Sequence, residues 1–380
     1  MYNCSKLRTK TEGVEWKLDV CRKNVTTLLN ADRISSLPDE LILEILSCMD
    51  AKLAVQTSLL STRWKLLWTS IPCLNFFSRS FDSSLKVGNF VSNFLSRRNH
   101  QVDVSSVKLD FEVGSQEILA QIVNYAVSRN VQKLLVIVNN KRLLFQDASL
   151  CPFSSKSLKK VTFSIPCRTP TTTWDFPALT TMHLESVEFF DNPVDLFSKC
   201  VNLKNLTLEK FAVFVQVFVI SIPQLSNLRL NNGKNSIIVN VVAPQLENLT
   251  IRNCSIEKLN APQGLTSLCY EDYHPPQLPR DCFNSLNKAS VNFHFSRITK
   301  PYKEIDARET INMLQELHSA KCLTLNLDIV ELLNVYGGLL ADVTTYLDAA
   351  IKMDDASAKV PLDTYSSTIF ESWIHAMQVF

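Results

Sequence analysis

A six-residue phrase with three apolar positions recurs through the middle of this 380-residue chain. It reads Leu158-Lys159-Lys160-Val161-Thr162-Phe163, then Leu179-Thr180-Thr181-Met182-His183-Leu184 and Leu203-Lys204-Asn205-Leu206-Thr207-Leu208. It returns as Leu225-Ser226-Asn227-Leu228-Arg229-Leu230, Leu246-Glu247-Asn248-Leu249-Thr250-Ile251 and Leu265-Thr266-Ser267-Leu268-Cys269-Tyr270. The starts are separated by 21, 24, 22, 21 and 19 residues. The second and third apolar positions are two apart, the period of one face of a β-strand. A unit this short cannot bury its own large side chains, so neighbouring units must stack and complete one another's core. Such even separations argue against chance spacing in a non-repetitive α/β domain. Weaker copies lie at 107–113, 134–138, 286–291 and 323–327. Pro166, Pro177, Pro193, Pro223, Pro244 and Pro262 punctuate the connections.

The phrase and its period are those of leucine-rich repeats. The expected architecture is an α/β solenoid of about eight to ten repeats with a parallel sheet on its concave face. Alternation along each strand leaves a polar outward row of mixed sign: Lys160 and Thr162, His183 and Glu185, Thr207 and Glu209 among others. A nucleic-acid surface would need clustered Lys and Arg with aromatics, so a protein-binding surface fits better. Arg229 lies between the second and third apolar positions of its phrase, and Arg252 directly follows the third. Both should project from adjacent strands on one face, and arginine is favoured where partners pair bidentately or stack.

Upstream, Ser36 and Asp39 have capping-box spacing, and Pro38 suits the first turn of a helix. Leu41, Ile42, Ile45 and Leu46 make an apolar face at helical spacing. A second helix is expected over 52–60. A third should begin after Ser61, with Trp64, Leu67 and Trp68 on one side. Three short helices in about forty residues cannot bury all these side chains alone, so part of the surface should seek a partner.

The strings Ile34-Ser35-Ser36-Leu37-Pro38-Asp39-Glu40, Ala54-Val55-Gln56-Thr57-Ser58, Ser61-Thr62-Arg63-Trp64 and Leu67-Trp68 resemble the F-box of the plant F-box/leucine-rich-repeat family. Repeat phrases such as Phe176-Pro177-Ala178-Leu179 and Ala243-Pro244-Gln245-Leu246-Glu247-Asn248-Leu249 resemble that family too, so the likeness covers about residues 32 to 333. The bend at Cys48–Lys52 lacks the family's usual proline. The resemblance implies a three-helix F-box followed by the solenoid. It divides the chain into a flexible segment (1–30), the F-box (31–77), the repeats (78–335) and a divergent helical tail (336–380). The tail departs from the family's terminal FBD module and instead carries amphipathic patterns at 339–351 and 369–377.

The implied function is that of the substrate receptor of a Skp-cullin-F-box ubiquitin ligase. The F-box docks a Skp-type adaptor, and through it a cullin, while the repeats hold a target protein. Leu37, Pro38, Ile42, Ile45, Val55, Leu59, Trp64 and Trp68 are expected to form the adaptor-facing surface and its support, and Arg229 and Arg252 to meet the target. The competing reading is a scaffold with no ubiquitin role, the F-box sealing one end of the solenoid.

Composition narrows the other classes. A net charge of +2 gives no pull toward nucleic acid or acidic membranes. The 7 glycines form no phosphate-cradling loop. The first thirty residues are polar, so no signal peptide is expected, and the longest apolar run, 211–220, is too short to span a bilayer. The 11 cysteines are an odd count without Cys-x-x-Cys, as in a reduced cytosolic or nuclear protein. The 6 histidines are dispersed, none at zinc-ligand spacing. No enzyme, metal or cofactor is expected.

Overall fold

The computed structural model describes residues 34, 36–112, 116–138, 154–169, 173–194, 196–279, 283–294 and 304–326, with 328, 329 and 332. The 1–30 segment and the helical patterns expected after residue 336 lie outside the described residues. The chain divides into two compact units, Met1–Phe214 and Val215–Phe380.

The first unit opens with helices α1 (Asp39–Ser47) and α2 (Ala51–Gln56). The N-cap is Pro38, at φ −54° and ψ 149°, which has no side-chain group to cap the helix. Asp39 and Glu40 still occupy the first turn, where the helix dipole favours acids. Three α-helices were expected; two are present. The second ends at Gln56 and tightens into a 3₁₀ turn, Thr57–Leu59, where the Thr57 hydroxyl donates back to the Ala54 carbonyl at 2.6 Å. The expected third helix is a series of tight turns ending in a 3₁₀ helix, Leu67–Ser70. Its backbone bonds span three residues (Leu67 to Trp64, Thr69 to Leu66), which winds the chain tightly enough to bury both Trp64 and Trp68.

A parallel sheet follows: β1 (Cys73–Phe77), β2 (Ser106–Phe111), β3 (Lys133–Val138), β4 (Lys160–Arg168), β5 (Thr181–Phe189) and β6 (Asn205–Glu209). The strands pair in chain order, with Cys73, Ser106, Lys133, Lys160, Thr181 and Asn205 in one register row. Strand β7 (Ala212–Val213) joins the end of β5. Helices α3 (Ser84–Ser96) and α4 (Gln116–Ser128) make the crossovers on either side of β2. A Cβ on Gly88 of α3 would stand 3.3 Å from the Ile118 side chain of α4, a tight contact that the end of that side chain would have to relieve by a small shift.

The helical cap is tied to the sheet by named bonds. The Asn75 amide on β1 donates to the carbonyls of Ser47 and Met49 at 2.8 and 3.0 Å, satisfying groups at and just beyond the α1 C-terminus. Trp68 packs on Phe94 of α3 with centroids 5.1 Å apart, and Phe94 meets Phe76 of β1 edge-on.

The second unit contains two parallel sheets. The larger is built from β9 (Asn227–Asn231), β11 (Asn248–Arg252), β13 (Ser267–Asp272), β14 (Lys288–Phe293) and β15 (Cys322–Leu325). The smaller comprises β8 (Val217–Ser221), β10 (Ile237–Val242) and β12 (Ile256–Asn260). Helix α5 (Glu304–Glu316) precedes β15. The smaller sheet was not anticipated, although Val217–Ile220 and Ile237–Val242 are β-branched and apolar runs of strand length.

All three apolar positions of the six repeated phrases are buried, from Leu158, Val161 and Phe163 to Leu265, Leu268 and Tyr270. Leu228 faces Leu249, and Leu249 faces Leu268, across neighbouring strands. The backbone turns left-handed at four equivalent places: Ser186, within β5, has φ of 63°, and Lys210, Asn232 and Asn253, one residue past β6, β9 and β11, have φ of 50°, 52° and 51°. At the last two, the turn aims the N–H of Asn232 at the Arg252 carbonyl, and that of Asn253 at the Glu271 carbonyl.

Candidate functional site

The helical cap has two apolar faces where one was expected. Ile42 and Leu46 are completely buried, while Leu41 and Ile45, each one position before them, are exposed. The same split runs through α2, with Ala51 and Ala54 inside and Leu53 outside. Leu59 is 87% exposed, and Leu60 and Leu66 are each 68% exposed. Ile34 and Pro38 are also on the surface. So many large apolar side chains on about thirty residues form an exposed apolar patch of the kind that soluble proteins rarely leave without a use.

The expected adaptor residues fall into three groups on this frame. Pro38, Ile45 and Leu59 are exposed, Leu37 and Val55 are half-buried, and Ile42, Trp64 and Trp68 are buried beneath them as support. The sequence reading missed Ile34, Leu41, Leu53, Leu60 and Leu66 as surface residues. An i, i+4 pair on each of two helix faces was the available signal: 41 with 45, and 42 with 46. Across this surface Arg63 Nε donates to the Asp39 carboxylate at 3.0 Å, bracing the loop against the first turn of α1.

Much of the outward sheet face is polar, and several of its charged groups are paired. In the first unit Glu185 accepts from Ser164 and Lys210, both at 2.6 Å, and His183 lies 3.6 Å from Glu209. Burial raises the Glu185 carboxyl, but the Lys210 and Ser164 bonds outweigh it and hold it below its usual range. In the second unit Arg229 is exposed opposite Thr250, and Arg252 opposite Asn231. The two arginines therefore share a face on adjacent strands but stand diagonally, two residues out of step. Arg252 is 3.2 Å from Glu271, which also takes His294 at 3.1 Å.

Nothing in these clusters assembles a catalytic constellation. The Cys200 thiol is pushed up to about 11 by burial, and Cys254 up to about 12 for the same reason, which leaves both un-ionised and unreactive. Cys269 faces outward between Thr250 and Ser290, as its strand position predicts. Among the described residues no group of three His, Cys, Asp or Glu side chains could hold a metal ion, and no helix is long and apolar enough to cross a membrane.

Comparison with known proteins bears on the exposed surface directly. The F-box domain family model matches residues 34–76, the segment that carries the split apolar faces. An F-box/FBD/LRR-repeat protein of Arabidopsis thaliana is 30% identical over 216 residues, covering 55% of this chain and 50% of the relative. A second protein of that description is 28% identical over 301 residues, covering 73% and 64%. An F-box/LRR-repeat protein of the same plant is 30% identical over 262 residues, 62% of this chain and 81% of the relative. The chain spans about half the length of several curated relatives it matches. With an F-box at its head, repeated parallel strands behind it and this similarity across most of a relative's length, the chain belongs to the plant F-box/leucine-rich-repeat family.

Proposed function

We propose that the chain is the substrate-recognition subunit of a Skp-cullin-F-box type ubiquitin ligase. Residues 31–77 dock a Skp-type adaptor, and through it a cullin scaffold. Residues 78–335 form a leucine-rich-repeat solenoid that holds a target protein. The chain performs no chemistry of its own. Ubiquitin transfer is done by other subunits, and this one contributes proximity. Such a complex works in the cytoplasm or the nucleus. The observation that carries the reading is the second apolar face of the helical cap, from Ile34 to Leu66. A scaffold that merely sealed the end of its own solenoid with these helices would have no use for leucines turned to water.

Arg229 stays in the proposed target-facing row because it is exposed on the strand face, and Arg252 joins it as a side chain already oriented by Glu271. The ligase reading is tested by co-purification with a Skp-type adaptor. Leu37→Ala with Pro38→Ala should abolish recovery of the adaptor while the chain remains folded. Undiminished recovery by the double variant would reject the docking surface. Replacing both arginines with Ala should lower recovery of an identified target and leave adaptor binding intact.

A further inference from the structure

The first four strands of the first unit differ from the rest of its outward face. Lys133 of β3 and Lys160 of β4 are register partners, which puts their Cβ atoms about 5 Å apart. Both are exposed. Like charges placed opposite each other weaken a sheet. Among the described residues, neither ammonium has an ion-pair partner. One step along the strands Lys108 of β2 faces Leu135 of β3, and Ile137 follows on the same side. Leu135 and Ile137 are half-buried at positions where β4 to β6 carry only polar side chains, such as Thr162 and Glu185. The corner is therefore a short apolar strip edged by three lysines.

We infer that this corner binds an acidic segment of a partner protein. One apolar side chain of the segment rests on Leu135, and its carboxylates meet Lys108, Lys133 and Lys160. This rests on reading the repeats as the target-binding part of the chain, and it names the chemistry of what they take. The charge pattern selects a short acidic peptide over a nucleic acid. The outward row that contains Asp110, Glu185 and Glu209 lies four residues along the strands from the lysine row, about 13 Å away. A phosphate backbone laid across the face would meet those carboxylates, whereas a short peptide confined to the Lys133–Lys160 row and the Lys108–Leu135 row next to it stops one row short of them.

The test is selection of a random dodecapeptide display library on the full chain and on Lys108→Ser/Lys133→Thr/Lys160→Thr. Peptides selected by the wild-type chain should be enriched in Asp and Glu around one apolar residue. A synthetic copy of one should bind the triple variant at least tenfold more weakly, and bind the wild-type chain more weakly as salt rises. Thermal unfolding of the triple variant should be unchanged or shifted upward, because the Lys133–Lys160 juxtaposition is gone. Should the triple variant unfold, Lys133→Thr alone should still weaken the peptide about threefold. Peptides without acidic enrichment, or equal binding by the variants, would overturn the inference. So would a 20-nucleotide DNA strand that requires the three lysines when no acidic peptide does. Adaptor co-purification is measured separately. A chain that selects acidic peptides yet fails to retain the adaptor would reject the ligase reading and leave this surface standing.

Discussion

Asp272, almost completely buried at the end of β13, accepts the backbone N–H of Cys254 at 2.9 Å. The same oxygen takes the N–H of Ser255 at 2.8 Å, and the other takes that of Tyr273. The chain between β11 and β12 is left-handed at both Asn253 and Ser255, so this carboxylate pins a turn that its own residues disfavour. Asp272→Ala should cost roughly 2–4 kcal/mol, because buried N–H groups lose a charged acceptor. Asp272→Asn, which keeps one carbonyl oxygen, should cost less. Urea unfolding of the two variants checks the order. An alanine variant as stable as wild type would remove the turn from the list of stabilising devices.

The helical cap should separate binding from stability residue by residue. Leu59→Ser and Leu66→Ser remove side chains that touch mostly water, and stability should stay within about 0.5 kcal/mol. Each should nonetheless weaken adaptor recovery. Ile42→Ala opens a cavity under the same surface and should cost about 2–5 kcal/mol. If the exposed leucines proved as destabilising as Ile42, they would be core residues and the docking face would be wrong.

Glu185 and Lys210 give the sheet a defined pH response. The Glu185 carboxyl is held below its ordinary value of 4.5, so the folded state binds its proton less readily than the unfolded chain does. Its contribution is complete above that value and is lost as pH falls through the lower, folded one. The Lys210 ammonium is raised by the same bond, so its contribution is complete below 10.5 and is lost as pH rises through the higher, folded value. Lys210→Met should therefore lower the melting temperature near neutral pH, and the gap to wild type should close in acid below about pH 4. A gap that stayed constant from pH 7 to 3 would show that the pair has no such role.

Ser186 holds a backbone conformation that L-residues avoid. Ser186→Gly should raise stability by up to about 1 kcal/mol, the relief of the left-handed strain less the flexibility glycine adds to the unfolded chain. Ser186→Val should lower it, since a β-branched residue tolerates this region worst. Thermal melts of the two variants read out both signs.

The repeat was plain in the sequence because its physics is periodic. Leu206, Leu228 and Leu249 recur at the same place in each phrase, and burial of all three follows from the alternation of strand faces. The outward placement of Arg229 and Cys269 follows from the same alternation. Where two helical stripes overlap, the pattern loses its meaning. Leu41 and Ile42 look alike in a sequence, and only the packing of α1 against the rest of the cap decides which one meets water. The helix at 64–68 misled for a related reason. Two tryptophans at i and i+4 suit an α-helix, yet tight three-residue turns bury them equally well. The lysine corner was hidden because Lys133 and Lys160 are 27 residues apart and become neighbours only through strand register.

The left-handed residues that follow β6, β9 and β11 have a further consequence. They stand where those strands stop, and the following connection is free to vary. The aligned starts of β4, β5 and β6 are 21 and 24 residues apart, and those of β9, β11 and β13 are 21 and 19 apart, yet each pair keeps its register. Lengthening a surface connection by a few residues costs little, since loop-closure entropy grows only with the logarithm of length. Insertions and deletions in the connections thus leave the outward rows untouched, while point changes in those rows leave the leucine core untouched. Such a fold can exchange the side chains on its outward face without rewriting the core that displays them.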